Sequence, residues 1–352
     1  MISLLAILIG IAVAIASPAA TVSEGKSVIQ LPVSGNFPSL AGGLEWLNSK
    51  PLTPAELRGK VVLVDFWTYT CVNWLRTLPY VRAWNDTYRD HGLVVIGVHT
   101  PEFSFEKNVD NVKAAIKAMR VDYPVVIDSN YGIWNAFSNE YWPAEYVIDA
   151  QGRIRYSHFG EGAYQETERA IKQLLLDAGN KNVGNALVTV EPMGLEVAAD
   201  WNDVRSPESY LGYRQTQGFA SSGGIARDRS QTYAFPNSLQ LNEWALSGQW
   251  TSGSEAVVLD KAPGKIAFRF HARDVNLIMS PPREGARVRF RVFVDGHPPA
   301  DAHGGDADAN GDGVVTQQRT YQLIRQQKPI RERTFTIEFF DEGAQAYDFT
   351  FG

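Results

Sequence analysis

The chain of 352 residues contains a single cysteine, Cys71, and its surroundings suggest chemistry at sulfur. Cys71 lies in FWTYTCVNWLRTLPY, residues 66–80, between an apolar run and a segment whose apolar residues have helical spacing. At the start of a helix, free backbone N–H groups and the positive end of the helix dipole stabilise an anion. We therefore predict that the pKa of Cys71 is lowered and that its thiolate is nucleophilic near neutral pH.

The elements around Cys71 alternate between strand and helix patterns. Apolar runs at residues 60–67, 92–99 and 123–128 are typical of buried parallel strands. Helical periodicity follows the first two runs, residues 144–160 predict a hairpin, and a last helix ends at Gly179. This order predicts an α/β domain with a mixed sheet.

Five stretches of this region are FWTYTCVNWLRTLPY, GLVVIGVHTPEF, YPVVID, YWPAEYVID and HFGEG. Together they resemble thioredoxin-like proteins of the TlpA/ResA type, in particular the thioredoxin-like portion of DipZ-type proteins. The resemblance implies a thioredoxin fold for residues 25–180. It also implies thiol–disulfide chemistry at Cys71, which matches the attacking cysteine of the family.

The resemblance implies roles for three residues beyond the cysteine. Glu102, in HTPEF, matches an acidic residue that assists proton transfer, so Cys71 and Glu102 are the expected catalytic residues. Pro143, in YWPAEY, matches a cis-proline that faces the thiol and offers backbone to an extended substrate. His99 either carries a second proton or is a buried structural histidine, and the second interpretation is favoured.

The chain departs from the family motif at the position of the second cysteine, which is Trp74. No disulfide can form within the motif, so an external thiol must resolve a mixed disulfide at Cys71. We expect Trp74 to line the site, with Trp67, Trp142 and Pro143 completing a substrate-binding surface.

Three functions are compatible with one cysteine at this position. The favoured one is monothiol thiol–disulfide exchange, with protein thiols or disulfides as substrates, an external thiol reductant and no cofactor. The second is a non-catalytic glycan- or protein-binding protein in which Cys71 is an inert core thiol. The third is a one-cysteine peroxidase, because Thr68-x-x-Cys71 resembles the Thr-x-x-Cys element of peroxiredoxins, although the proline expected upstream is missing.

Residues 206–352 follow a linker at residues 181–205 and show the alternation of half-buried β-strands. Several short strands with turn residues between them predict an all-β sandwich. This region resembles the carbohydrate-binding-module-like C-terminal module of DipZ-type proteins, which implies a glycan as a candidate ligand. Trp244 and Trp250 either stack on a sugar or pack in the core, and the core position is favoured.

The stretch DADANGDGVVTQ, residues 306–317, is a weak candidate for a calcium loop. Its candidate oxygen donors are Asp306, Asp308, Asn310 and Asp312. The twelfth position is Gln317 instead of glutamate, and a turn-rich connection between strands has the same composition. The connection is the favoured interpretation, and no other metal site is predicted.

The first 17 residues carry no charge and precede small and polar residues. Residues 1–20 therefore predict a signal peptide, or alternatively a membrane anchor, and a periplasmic or otherwise exported location. No later segment is long and apolar enough to predict a membrane span. The net charge of -6 and the pI of about 5.6, without a basic cluster, exclude nucleic acid as an expected partner.

Overall fold

The structure, a computed structural model, describes residues 31–352. The predicted signal peptide or anchor at residues 1–20 lies outside this range. Leu31–Gly352 form one compact unit, and the predicted division into residues 25–180, 181–205 and 206–352 stays a prediction. Within this unit, no helix has both the length and the apolar character that a membrane span requires.

The first half of the described chain is built on a seven-stranded mixed sheet. Its strands are β1 (Gly35–Asn36), β2 (Glu45–Leu47), β3 (Val61–Trp67), β4 (Leu93–His99), β5 (Val125–Ile127), β6 (Ala144–Ile148) and β7 (Arg153–Phe159). They lie in the order β1-β7-β6-β3-β4-β5-β2. The pairs β3–β4 and β4–β5 are parallel, and the other neighbours are antiparallel.

Three α-helices of the described chain connect these strands, and a fourth follows β7. They are α1 (Val72–Tyr88), α2 (Val109–Ala118), α3 (Gly132–Ala136) and α4 (Tyr164–Asp177). The central strand β3 reads VVLVDFW and is buried at every position, as its continuous apolar pattern predicts. The predicted α/β thioredoxin fold is confirmed, and it places the start of α1 directly beyond the end of the central strand.

The second half of the chain is all-β, as predicted. Its strands are β8 (Ser209–Tyr210), β9 (Ser230–Tyr233), β10 (Trp244–Ser252), β11 (Val257–Phe270), β12 (Asp274–Ser280), β13 (Val288–Val294), β14 (Asp312–Val315), β15 (Arg319–Arg325), β16 (Arg333–Phe339) and β17 (Gln345–Phe351). They form one antiparallel sheet, in which β14-β13-β16-β11-β17-β12-β15 are successive neighbours and β8, β9 and β10 attach at the sides.

This sheet curls around one apolar core. The 14-residue strand β11 allows the curl, because its start pairs with β17 and residues 264–270 pair with β16. Large aromatic residues, including Trp244, Trp250 and Phe268, fill the interior. The sandwich expected from the sequence is therefore one continuous sheet whose two sides are joined through β11.

The two halves of the chain meet next to Cys71. Thr320 Oγ1 in β15 donates a hydrogen bond to the carbonyl oxygen of Thr70 at 2.6 Å. Arg76 in α1 donates from Nη2 to the carbonyl oxygen of Phe351 at 3.1 Å. Both bonds are buried, so the all-β half is fixed against the segment that carries the thiol.

Candidate active site

Cys71 is the N-terminal cap residue of α1. Its carbonyl oxygen accepts the N–H of Leu75 at 3.0 Å, which begins the hydrogen-bond pattern of the helix. Its Sγ lies 3.8 Å from the carbonyl oxygen of Trp142, and the Trp142–Pro143 peptide bond is cis. The structure thus places Cys71 opposite the loop that carries Trp142 and Pro143, called the proline loop below. The family resemblance implies this placement.

Burial controls the acidity of the thiol. Cys71 is only 9% exposed, and burial raises its pKa well above the ordinary value, with smaller contributions from the charges of Glu102 and Glu208. The backbone N–H groups of Trp74 and Asn73 act in the opposite direction and are outweighed. The prediction that the pKa of Cys71 is lowered is therefore wrong. It took the helix N-terminus into account but not the burial of the thiol or the charges of Glu102 and Glu208.

Trp74, at the position of the missing second cysteine, points into the protein. Its ring stacks on Trp67 with the centroids 4.2 Å apart, and its Nε1 donates to Asp65 Oδ2 at 2.9 Å. Both tryptophans are fully buried. The expectation that Trp67 and Trp74 line a substrate-binding surface is therefore wrong, since both rings belong to the core.

Asp65, in β3, is a fully buried carboxyl group that no sequence motif indicates. Burial raises its pKa to about 7, and the hydrogen bond from Trp74 opposes that increase. Its partner across the β3–β6 ladder is Glu145, whose pKa is raised to about 8 by burial and then by the charge of Asp65. The sequence does contain one indication of this group, namely an acidic residue inside the apolar strand VVLVDFW. A carboxyl group in such a position needs a hydrogen-bond partner or a proton.

Trp142 and Pro143 immediately precede β6. Trp142 is partly exposed, its Nε1 donates to the carbonyl oxygen of Thr100 at 3.0 Å, and its ring lies 4.2 Å from that of Trp134. Pro143 is buried. These contacts hold the proline loop beside Cys71, and the role of both residues in substrate binding stays a prediction.

Glu102 lies in the loop after β4 and is partly buried. The hydroxyl of Tyr210, in β8 of the all-β half, donates to its Oε1. Burial raises the pKa of Glu102 to about 8, and the charges of Glu208 and Glu106 add to the increase. Glu102 can therefore take up and release a proton near neutral pH.

Glu106 links the Glu102 loop to the segment that carries the thiol. Its Oε2 accepts the backbone N–H groups of Glu102 at 2.7 Å and Phe103 at 2.9 Å, and its Oε1 accepts the hydroxyl of Thr70. Because Thr70 immediately precedes Cys71, this buried carboxylate holds the two loops together. No sequence motif indicates this role of Glu106, although Glu106 follows Glu102 by four residues.

His99 is buried at the end of β4. Its ring packs edge-on against Trp67 and stacks on Tyr69. Burial lowers its pKa to about 3, so the imidazole is neutral at physiological pH. This agrees with the structural interpretation of His99 and not with a second proton carrier.

A pocket of about 320 Å³ opens beside the first turn of α1. It is lined by Val72 and Asn73 of the helix and by Trp201, Glu208 and Phe351, among others, from the second half of the chain. Trp201 is 62% exposed. The pocket gives solvent and small molecules a route to the helix turn that follows the thiol.

The carboxylates of the candidate calcium loop are engaged by other groups of the protein. The pairs are Asp306 with Arg319 at 2.6 Å, Asp312 with Arg291 at 2.7 Å, and Asp308 with the backbone N–H of Asn310 at 2.9 Å. No group of three or more candidate metal ligands occurs between residues 31 and 352. The loop leads into β14, and the calcium interpretation is not supported because two of its carboxylates already neutralise arginines.

The two tryptophans considered for sugar stacking lie in the core of the all-β half. Trp244 and Trp250 are both fully buried. Their Nε1 atoms donate to the carbonyl oxygens of Gln217 at 3.0 Å and Ser247 at 2.9 Å. Neither ring presents a face to a glycan, which agrees with the favoured core position.

Comparison with known families and proteins divides the chain into two matched regions. Residues 43–157 match the AhpC/TSA family, and residues 206–352 match the thioredoxin-like C-terminal domain. The chain is 36% identical over 336 residues to Protein DipZ of Mycobacterium tuberculosis (strain CDC 1551 / Oshkosh), which is 94% of this chain and 44% of that protein. It thus spans less than half the length of the DipZ proteins that it matches.

Shorter relatives match the first region. Over 141 residues the chain is 29% identical to thiol-disulfide oxidoreductase YkuV of Bacillus subtilis (strain 168), covering 40% of this chain and 95% of that protein. A solution structure of a thioredoxin-like protein in the oxidized form has 30% sequence identity and a TM-score of 0.38, covering 41% of this chain and 96% of that one.

Proposed function

This chain belongs to the thioredoxin-like proteins, and from that premise we propose that it performs thiol–disulfide exchange through Cys71 in a monothiol mode. One observation carries the proposal. The Sγ of Cys71 lies at the start of α1 and 3.8 Å from the carbonyl oxygen of Trp142, beside a partly exposed aromatic ring. A disulfide in an extended peptide can approach the sulfur along this loop.

The raised pKa of Cys71 sets the first requirement of the reaction, because the resting residue is a thiol. The thiolate is the nucleophile in disulfide exchange, so the proton must first leave the sulfur. Glu102 in its carboxylate form is the acceptor, since a pKa of about 8 lets it hold that proton and return it near neutral pH.

The exchange itself then balances without a cofactor. The Cys71 thiolate forms a bond to one substrate sulfur, and the second substrate sulfur leaves with the electron pair of the broken S–S bond and takes the proton from Glu102. Because Trp74 provides no second thiol, an external thiol attacks the mixed disulfide and restores the Cys71 thiol.

The proposed partners are protein disulfides and a separate thiol reductant. YkuV, a relative of the first half, is named a thiol-disulfide oxidoreductase, which supports this class of substrate. We further propose that the protein is exported, since the uncharged first 17 residues have the composition of a signal peptide.

Two other functions have one supporting observation each. The AhpC/TSA match over residues 43–157 supports a one-cysteine peroxidase. The burial of Cys71, with Trp74 packed where a resolving thiol would stand, supports a non-catalytic protein-binding role.

The test compares the full chain with its Cys71→Ser variant in three assays. These follow reduction of insulin disulfides with glutathione as the external thiol, isomerisation of a scrambled substrate, and consumption of hydrogen peroxide. We expect disulfide turnover that the substitution abolishes, and no peroxide consumption above that of the variant. Cys71-dependent peroxide consumption without disulfide turnover would favour the peroxidase, and inactivity of both proteins in all assays would favour the binding role.

A further inference from the structure

The all-β half adds three side chains to the polar surroundings of Cys71, namely Glu208, Tyr210 and Asp348. This inference rests on the proposed function, because it concerns how the proton of Cys71 is handled. The thioredoxin-like half itself contributes Glu102, whose charge acts on Cys71, and Glu106, which is bonded to Thr70. The three side chains of the all-β half are additional to these.

Tyr210 connects two carboxyl groups that come from different halves of the chain. Its hydroxyl donates to Glu102 Oε1 and lies 3.4 Å from Glu208 Oε2. A phenol has one proton to donate and lone pairs with which to accept. It can therefore donate to one carboxylate while it accepts from the other carboxyl group when that group is protonated.

Glu208 connects this arrangement to solvent. It is an exposed residue and lines the 320 Å³ pocket beside the first turn of α1. Its charge also raises the pKa of both Cys71 and Glu102. The path of polar groups therefore runs from the pocket through Glu208 and Tyr210 to Glu102.

Asp348 lies opposite Tyr210 in the β17–β8 ladder and is fully buried. Among the residues that the structure describes, neither of its carboxyl oxygens accepts from an N–H or hydroxyl donor, and its hydrogen-bonding neighbour is the carboxyl group of Glu208. A charged carboxylate beside another carboxyl group, with no N–H or hydroxyl donor to stabilise it, is very costly in such a position. Burial, followed by the charges of Glu208 and Glu102, raises its pKa well above the ordinary value, so Asp348 holds a proton.

The contact between the halves keeps these groups near the thiol. Thr320 Oγ1 donates to the carbonyl oxygen of Thr70 at 2.6 Å, one residue before Cys71. Glu106 accepts the hydroxyl of the same threonine and the N–H of Glu102. The segment that carries the thiol is thus bonded on one side to the all-β half and on the other to the Glu102 loop.

We propose that Glu208 and Tyr210 relay protons between the pocket and Glu102, with Asp348 as a buried proton store, so that the all-β half is part of the thiol site. Cys71 gives its proton to the Glu102 carboxylate, and Glu102 protonates the departing substrate sulfur. Before that step, Tyr210 and Glu208 carry the proton of the resting Glu102 out to the pocket, and after the substrate sulfur has left they return one proton to the Glu102 carboxylate, so that protons and electrons balance over the cycle. Tyr210, Glu208 and Asp348 act through Glu102 and are positioning residues.

The test uses the full chain and three variants, Tyr210→Phe, Glu208→Gln and the matched control Tyr213→Phe. The control also removes a tyrosine hydroxyl bonded to a carboxylate, that of Asp228 at 2.9 Å, but outside this cluster. Two quantities are measured against pH: the ¹³C chemical shift of the Glu102 carboxyl group and the rate of Cys71 alkylation by iodoacetamide.

The relay predicts shifts of opposite sign. Tyr210→Phe removes a hydrogen bond that stabilises the Glu102 carboxylate, so the titration midpoint of Glu102 rises. Glu208→Gln removes a like charge, so the midpoints of Glu102 and Cys71 both fall and alkylation at pH 7 becomes at least about threefold faster. Tyr213→Phe leaves both profiles unchanged.

Shifts of the same sign in both variants, or profiles equal to that of Tyr213→Phe, would overturn the relay. The proposed function fails in a different way, by absence of disulfide turnover in the unmodified protein. The carboxyl titration does not require turnover, so the two failures are distinguishable.

Discussion

The indole nitrogen of Trp74 donates to Asp65 Oδ2 at 2.9 Å, at the position where a dithiol motif carries its second cysteine. The residue at this position thus provides a hydrogen-bond partner for a buried carboxyl group. The site therefore has one thiol, that of Cys71, and a buried carboxyl group, that of Asp65, which accepts a hydrogen bond from a tryptophan.

Trp74→Phe should raise the pKa of Asp65 above its value of about 7, because the substitution removes the hydrogen bond that opposes the effect of burial. The ring remains available to stack on Trp67, so we expect a loss of about 1–3 kcal/mol in the free energy of unfolding at pH 9. The measurements are the ¹³C titration of Asp65 and denaturant unfolding.

Trp84→Phe is the matched control for this substitution. Trp84 is also fully buried in α1, but its Nε1 has no hydrogen-bond partner within residues 31–352. The midpoint of Asp65 should stay unchanged in this variant. An equal shift in both variants would mean that ring packing, and not the hydrogen bond, sets the titration of Asp65.

Stability should fall as the pH rises from about 4 to about 8. Asp65 and Glu145 keep their protons in the folded protein up to pKa values of about 7 and about 8, against ordinary values of 3.8 and 4.5. The folded state therefore binds more protons than the unfolded state in this window, and each increase in pH favours unfolding. Denaturant unfolding at pH 5 and pH 9 should differ by more than about 1.4 kcal/mol.

The double variant Asp65→Asn/Glu145→Gln identifies the groups responsible for that slope. It should reduce the dependence of the unfolding free energy on pH between these two values, while Glu102 and Asp348, whose pKa values are also raised, keep part of it. An unchanged slope in the double variant would show that other groups cause the dependence.

Arg76→Ala should destabilise the fold strongly. Arg76 and Glu161 are almost fully buried and lie 3.1 Å apart, and Arg76 also donates to the carbonyl oxygen of Phe351. Removing one member leaves a buried carboxylate without its partner, which costs about 3–5 kcal/mol. The free energy of unfolding measures this loss.

Arg269→Ala is the comparison for that experiment. Arg269 pairs with Glu332 at 2.8 Å on the surface, where both side chains are partly exposed and water screens the pair. It should change stability little. Similar losses in the two variants would contradict the importance assigned to the buried pair.

Local sequence patterns predict the frame of the site well. The apolar run of β3 and the helical spacing after Cys71 place the cysteine at a strand-to-helix junction, and the structure confirms that position. The alternation in the second half predicts its all-β class. Both results follow because the period of apolar residues directly reflects which face of an element is buried.

The environment of the thiol could not be predicted in the same way. Tyr210 and Glu102 are 108 residues apart, and no local pattern indicates that they share a hydrogen bond. The pKa of Cys71 depends on burial and on carboxylates from both halves, not on the helix terminus alone. The orientation of Trp74 toward the core could likewise not be predicted from the sequence, since aromatic residues occur both in cores and at binding surfaces.

The most direct test of monothiol exchange is intact-mass spectrometry of the full chain after incubation with a peptide disulfide at pH 8, before and after addition of an external thiol. The proposed chemistry predicts one mixed-disulfide adduct per chain, absent in Cys71→Ser and removed by the thiol within the time of turnover. A folded protein that forms no adduct at Cys71, or an adduct that the external thiol does not release, would contradict it.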